Sequence, residues 1–228
     1  MARRKPEKQG PVGGIAFFMS LFFLSLLCLL NYSALPALLD ADSWPAALQF
    51  MAAAFLAFWV TPFFVRGRLS VLLHELKHAL LSGFAGNRAR NLSLSRSGGG
   101  EFEYEYTQET APYNAFISLA PYITPLFSLP VFIVLIFALP QQHSLAVLLV
   151  SLAYGADLRL NLRDISPRQT DITHIRGGFA VGLLYILVMN LTIFGILAAW
   201  VLKGTFGLRF LLFGLWQFVL ALVAYYRN

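Results

Sequence analysis

The chain has 228 residues, of which 58% are hydrophobic, 15% aromatic and only 12% charged, with a formal net charge of +6 and a mean hydropathy of +0.67. Soluble domains carry about 25% charged residues, so this chain has too few polar side chains to cover a globular surface in water. The positive balance points to membrane orientation rather than nucleic-acid binding, because the basic residues follow the ends of apolar runs.

Crossing the hydrocarbon core takes about 20 helical residues, and the first run of that kind is 14–31, behind a basic tail (1–13) that holds Arg3, Arg4, Lys5 and Lys8. It is longer than the apolar region of a signal peptide, usually about 7 to 15 residues, and further spans follow, so it is expected to be an uncleaved anchor. Cys28, the only cysteine, lies inside it, which excludes an intramolecular disulfide, a CxxC pair and a thiolate zinc cluster. Residues 33–45 have no Lys or Arg and carry Asp40 and Asp42, so the amino terminus is expected in the cytoplasm and this loop outside. A second uncharged run, 46–65, leads back to Arg66 and Arg68 on the inner side.

Residues 69–84 break the pattern, because the segment is short for a span and contains His74, Glu75, Lys77 and His78. A half-buried polar helix is expected there rather than an ordinary crossing. In 86–113, Leu92 and Leu94 alternate with Ser, glycines follow, and Phe102, Tyr104 and Tyr106 alternate with Glu, the pattern of a β-hairpin with one apolar face. An apolar run with Pro121, Pro125 and Pro130 occupies 114–140, and a shorter one, 144–156, spans if it continues to about 162. A polar loop at 157–177 precedes the last two runs, 178–201 and 206–225, which meet at a turn over 203–205. The expected fold is an all-α polytopic membrane protein of about six transmembrane helices, with the short polar helix and the small hairpin, in one domain covering 1–228. It is expected to be multi-pass in the cell membrane, with its basic loops cytoplasmic.

Residues 74–78 read HELKH, a match to H-E-x-x-H. At about 100° per residue, helical positions four apart lie about 40° apart, so both imidazoles reach one ion. Glu75, on nearly the same side, can take a proton from water without ligating. The bland alternative is a set of polar residues paired on a buried helix. A catalytic zinc takes three protein ligands, and the downstream candidates are His143, His174, Asp157, Asp164, Asp171 and the four glutamates from Glu101 to Glu109. A glutamate ligand on a later helix is excluded because none follows Glu109, and His143 falls in a turn on the opposite membrane face. Three aspartates stay open. Asp171 opens a span on the HELKH side, or it or Thr170 caps the helix there; Asp164 ligates, or pairs with nearby arginines; Asp157 ligates, or ends a helix in solvent. His174, three residues beyond Asp171, is a residue behind the ligand or a surface histidine at the headgroups.

The HELKH helix, the hairpin, the proline-rich span LAPYITPLFSLP and an Asp before a later span follow one another in that order over 69–178. In this the chain resembles the site-2-protease family of intramembrane zinc metallopeptidases, including its compact bacterial members. In that family the third ligand is an Asp, often followed by Gly, whereas QTDITHIRGG carries Asp171 without the adjacent Gly. The resemblance implies Zn²⁺ on His74, His78 and Asp171, with Glu75 as the base, and hydrolysis of peptide bonds in membrane-spanning or membrane-associated polypeptides. The hairpin edge then binds an extended substrate by strand addition, or packs on the membrane surface. The competing readings are a non-catalytic metal-binding or transport protein and a pseudo-protease that binds membrane partners. Transport calls for polar residues in several spans, and the first, second and sixth runs nearly lack them. The expected partners are the lipid bilayer and a polypeptide substrate, with no nucleic acid; the oligomeric state is left open.

Overall fold

The computed structural model describes residues 11–94, 100–138 and 143–227. Arg3, Arg4, Lys5 and Lys8, which set the expected orientation, lie outside the described residues, as does most of the glycine-rich hairpin turn. The chain is mostly helical, in the order α1 (Ile15–Leu38), α2 (Trp44–Phe64), α3 (Arg68–Phe84), β1 (Arg88–Leu94), β2 (Gly100–Glu105), a 3₁₀ turn (Ala111–Tyr113), α4 (Asn114–Ile123), α5 (Ser128–Ala138), α6 (His143–Arg163), α7 (Thr170–Thr173) and α8 (Gly178–Arg227).

Helices α1, α2 and α8 are apolar around most of their circumference, with Phe22, Phe55, Trp59, Phe213 and Trp216 turned outward and more than half exposed. A helix with no polar face suits a lipid surround. Helices α1, α2, α6 and α8 are the four described helices long and apolar enough to cross a membrane, and α4 with α5, bent by 80°, adds a fifth if the pair is one span. The two runs expected at 178–201 and 206–225 both lie within α8, on either side of non-helical dihedrals at Lys203 and Gly204, where the sequence expects their turn. The turn is sharp: a Cβ placed on Gly207 would lie 1.9 Å from the Ala199 carbonyl oxygen. Helices α2 and α6 also approach backbone to backbone, since a Cβ on Gly155 would lie 2.1 Å from the carbonyl oxygen of Ala54.

Helix α3 is built the other way round. Ser70, Glu75, Lys77, His78 and Ser82 are buried, while Leu69, Leu80 and Phe84 are exposed, Phe84 at 88%. Ser70, His74, His78 and Ser82 recur every four residues and so share one face, and that face meets α4. The hairpin follows, with β1 and β2 antiparallel in the register Arg88↔Glu105, Leu92↔Phe102 and Leu94↔Gly100 and an irregularity between Ala89 and Asn91. A backbone rung ties the start of the chain to the segment after α7: Val12 N–H donates to His174 O at 2.9 Å and Arg176 N–H to Val12 O at 2.9 Å.

The proline-rich span is not continuous. A proline has no N–H for the carbonyl four residues earlier, so Pro121 leaves Ile117 O without its helical donor and Pro125 does the same to Pro121 O. Side chains from other helices take up these groups. His78 Nδ1–H donates to Ile117 O at 2.7 Å and Lys77 Nζ to Pro121 O at 3.1 Å. Asn190 Nδ2 donates to Tyr122 O, next to the bend, at 2.8 Å. Beyond the bend, Asp157 accepts from Phe127 N at 3.0 Å and from Ser128 N and Oγ at 2.6 and 2.7 Å, satisfying the first donors of α5. Lys77 Nζ also donates to Asn161 Oδ1 at 2.5 Å, and the Asn161 amide to Asn190 Oδ1 at 2.9 Å. One buried polar chain therefore joins α3, α4, α6 and α8 behind the HELKH face.

Candidate metal centre

His74 and His78 lie one turn apart on α3, their rings 5.2 Å apart between centroids and at 68° to each other. Asp171 comes from α7. It stands 3.4 Å from His74 Nε2 and 3.6 Å from His78 Nε2 through the same oxygen, Oδ2. Among the described residues these three side chains form the group of His, Cys, Asp and Glu able to hold an ion, with ligand atoms all within 4.8 Å of one another. Two imidazole nitrogens and a carboxylate oxygen are a donor set that zinc accepts. The orientation of the rings suits it too: only an N–H can donate to a carbonyl, so the bond to Ile117 O fixes the proton of a neutral His78 on Nδ1 and leaves Nε2 with its lone pair toward Asp171.

The electrostatics match a site built for positive charge. Burial opposes protonation of His74, but the Asp164 and Asp171 carboxylates outweigh it and push its pKa up to about 9. Burial alone would raise Asp171, yet His74 and His78, in their protonated forms, donate to it and hold it well below the usual carboxylate range. Glu75 moves in the opposite direction, raised chiefly by burial. Two carboxylates thus stay ionised beside the imidazoles while the neighbouring glutamate is a stronger base than a free one.

The group opens into a cavity of about 530 Å³ lined by His74, Glu75, His78, Asp171 and, across from them, Phe102 and Tyr104 of β2. The period-two alternation of β2 turns Phe102 and Tyr104 inward, stacked at 5.7 Å, and leaves Glu103 and Glu105 exposed on the other face. Gly100 is where the strand comes closest to α3: a Cβ there would lie 2.6 Å from Val71 Cγ1 and 2.7 Å from Glu75 Cγ. Any side chain at this position would push the strand off the helix.

Of the residues singled out in the sequence, His74, Glu75, His78 and Asp171 are brought together. Asp171 does not open the last span as expected; it sits in its own one-turn helix, separated from α8 by residues 174–177, and the chain takes positive φ at Gly177 and at Gly178, where α8 begins. Nor does it cap that helix, whose N-cap is Gln169 with no side-chain cap bond. Asp157 is not a solvated helix end: it is 1% exposed and occupied with the backbone at the start of α5. His143 begins α6, where Nε2 meets Val201 O at 3.0 Å, and His174 is exposed beyond α7. Asp164 lies beside the group, 3.7 Å from Nδ1 of His74. The sequence reading missed the Ile117 carbonyl, for which Pro121 is the signal, and the inward pair Phe102 and Tyr104, which the alternation placed on one face without saying what that face meets.

In comparisons with known proteins, a family profile described as Peptidase M50B-like matches residues 47–166, a little over half of the chain and including the whole of α3 and the hairpin. No curated protein and no solved structure matches.

Proposed function

The chain belongs to the Peptidase M50B-like family, and from that premise we propose that it is a zinc-dependent, membrane-embedded endopeptidase that hydrolyses membrane-spanning or membrane-associated polypeptides. Membership bears out the resemblance to the site-2 proteases carried by HELKH, the hairpin and the proline-rich span. The observation that carries the proposal is the convergence of His74, His78 and Asp171, from two separate elements, beside Glu75 in one cavity.

His74, His78 and Asp171 hold the metal in this reading. When bound, zinc supplies Lewis acidity, lowering the pKa of water and polarising a scissile carbonyl. Glu75 does the proton work: raised by burial, it takes a proton from water and delivers it to the leaving nitrogen. Ile117 O keeps the His78 ring turned so that Nε2 faces the centre. Phe102 and Tyr104 give the opposite wall an apolar, flat surface against which an extended peptide can lie. Apolar helices around this cavity support a substrate that shares the membrane, with the site near its cytoplasmic face.

The test uses the full-length protein in detergent, measuring bound zinc and cleavage of a membrane-anchored peptide for wild type and Glu75→Gln. Zinc retained in both, with cleavage lowered about 10²- to 10⁴-fold in the variant, is the expected result. Absence of zinc at neutral pH, or cleavage by Glu75→Gln at the wild-type rate, would overturn the reading.

A further inference from the structure

Resting on the zinc reading, the geometry points to a part for Asp164, a residue of the loop after α6: it is a positioning residue that holds the His74 ring from behind. The two nitrogens of an imidazole face different directions, and here they face different carboxylates. Asp171 Oδ2 lies 3.4 Å from Nε2 and Asp164 Oδ2 lies 3.7 Å from Nδ1. Asp164 therefore addresses the ring nitrogen opposite the one that faces Asp171 and does not belong to the group of ligand atoms that could hold an ion.

Asp164 is itself held in place. Its Oδ1 lies 3.3 Å from Arg163 Nε, and Arg163 Nη1 donates to Ser70 Oγ. Ser70 is on α3, one turn before His74 and on the same face, so Arg163 ties the carboxylate back to the helix whose histidine it serves. The two rings of HELKH are thus oriented by different means. His78 has a neutral carbonyl behind it; His74 has a carboxylate, which fixes the tautomer and also makes Nε2 a stronger donor.

Outer partners of this kind are worth about 10- to 100-fold in metal affinity. The Asp164 side chain is 32% exposed, and screening by solvent sets the expectation at the lower end, about tenfold. The experiment measures the zinc dissociation constant of the full-length protein in detergent by competition with a chromophoric chelator, the visible spectrum of the cobalt-loaded form, and the thermal midpoint with chelator present. Asp164→Asn is expected to bind zinc about tenfold more weakly, with the cobalt bands and the metal-free midpoint of wild type. Wild-type zinc affinity in the variant would overturn the assignment, a changed cobalt spectrum would make Asp164 a ligand instead, and a lowered metal-free midpoint would reduce its part to folding. If Asp164→Asn does not fold, Arg163→Gln, which loosens the carboxylate without removing it, is expected to weaken zinc by about threefold; no change there would overturn the proposal. Wild type that binds neither metal would defeat the zinc reading itself, whereas wild-type binding with an indifferent Asp164→Asn would defeat this inference alone.

Discussion

Two helical stretches of the molecule are broken, and the breaks are managed in opposite ways. The one between α4 and α5 lies among buried groups: Lys77 and Asp157, which serve it, are each 1% exposed. The one in α8 lies at a rim, where Gly204 takes φ 57°, Lys203 pairs with the half-exposed Asp40, and His143 Nε2 meets Val201 O at 3.0 Å. An unmet backbone group in the interior costs about 1–3 kcal/mol, so each group freed there demands a dedicated partner, while at a rim water competes for the same role. The interior break has become a junction as a result. Two of the carbonyls that prolines release are the anchors of Lys77 and His78, so the HELKH helix is docked on the defect of its neighbour.

The hardest test of this contrast is Asp157→Ala. It strips the partner from Phe127 N, Ser128 N and Ser128 Oγ at once, and the expected loss is about 3–5 kcal/mol, read from denaturant or thermal unfolding in detergent. A loss below about 1 kcal/mol would mean that water serves this break as well, and the distinction between the two would collapse.

Pro121→Ala sharpens the contrast in another way, because it restores a donor to Ile117 O that competes with His78 Nδ1–H. Zinc affinity is expected to fall about three- to tenfold while the thermal midpoint holds or rises. A variant with wild-type zinc affinity and a raised midpoint would show that the proline sets the bend and not the ring. The smallest effect belongs to the rim. Lys203→Ala should cost no more than about 1 kcal/mol, less at high salt, and a larger change in unfolding would place the α8 turn in the same class as the interior break.

What could be read in the sequence follows from how local each feature is. HELKH places two imidazoles and a carboxylate within one helical turn, so its geometry is written in five consecutive residues. The hairpin was legible for the same reason, from alternation alone. Asp171 could be singled out among three aspartates by order and resemblance, but its distance from the imidazoles depends on how α7 folds back on α3. The partners of the junction were beyond reach: Lys77 meets Asn161 across 84 positions, and nothing near either residue specifies the other. The prolines announced that carbonyls would be released without saying to whom. The break at Lys203 and Gly204 was legible as well, because the glycine and the lysine stand between two apolar runs.

The inverted face of α3 has a consequence for how the protein is made. The polar partners of its buried side, the Ile117 carbonyl, Asn161, Asp164 and Asp171, lie later in the chain. During synthesis the helix leaves the ribosome with Glu75, Lys77 and both histidines unpartnered, and it cannot enter lipid on its own terms. Its polar face is fully met only once α4, α6 and α7 are in place, so the HELKH group closes after the later helices have joined it.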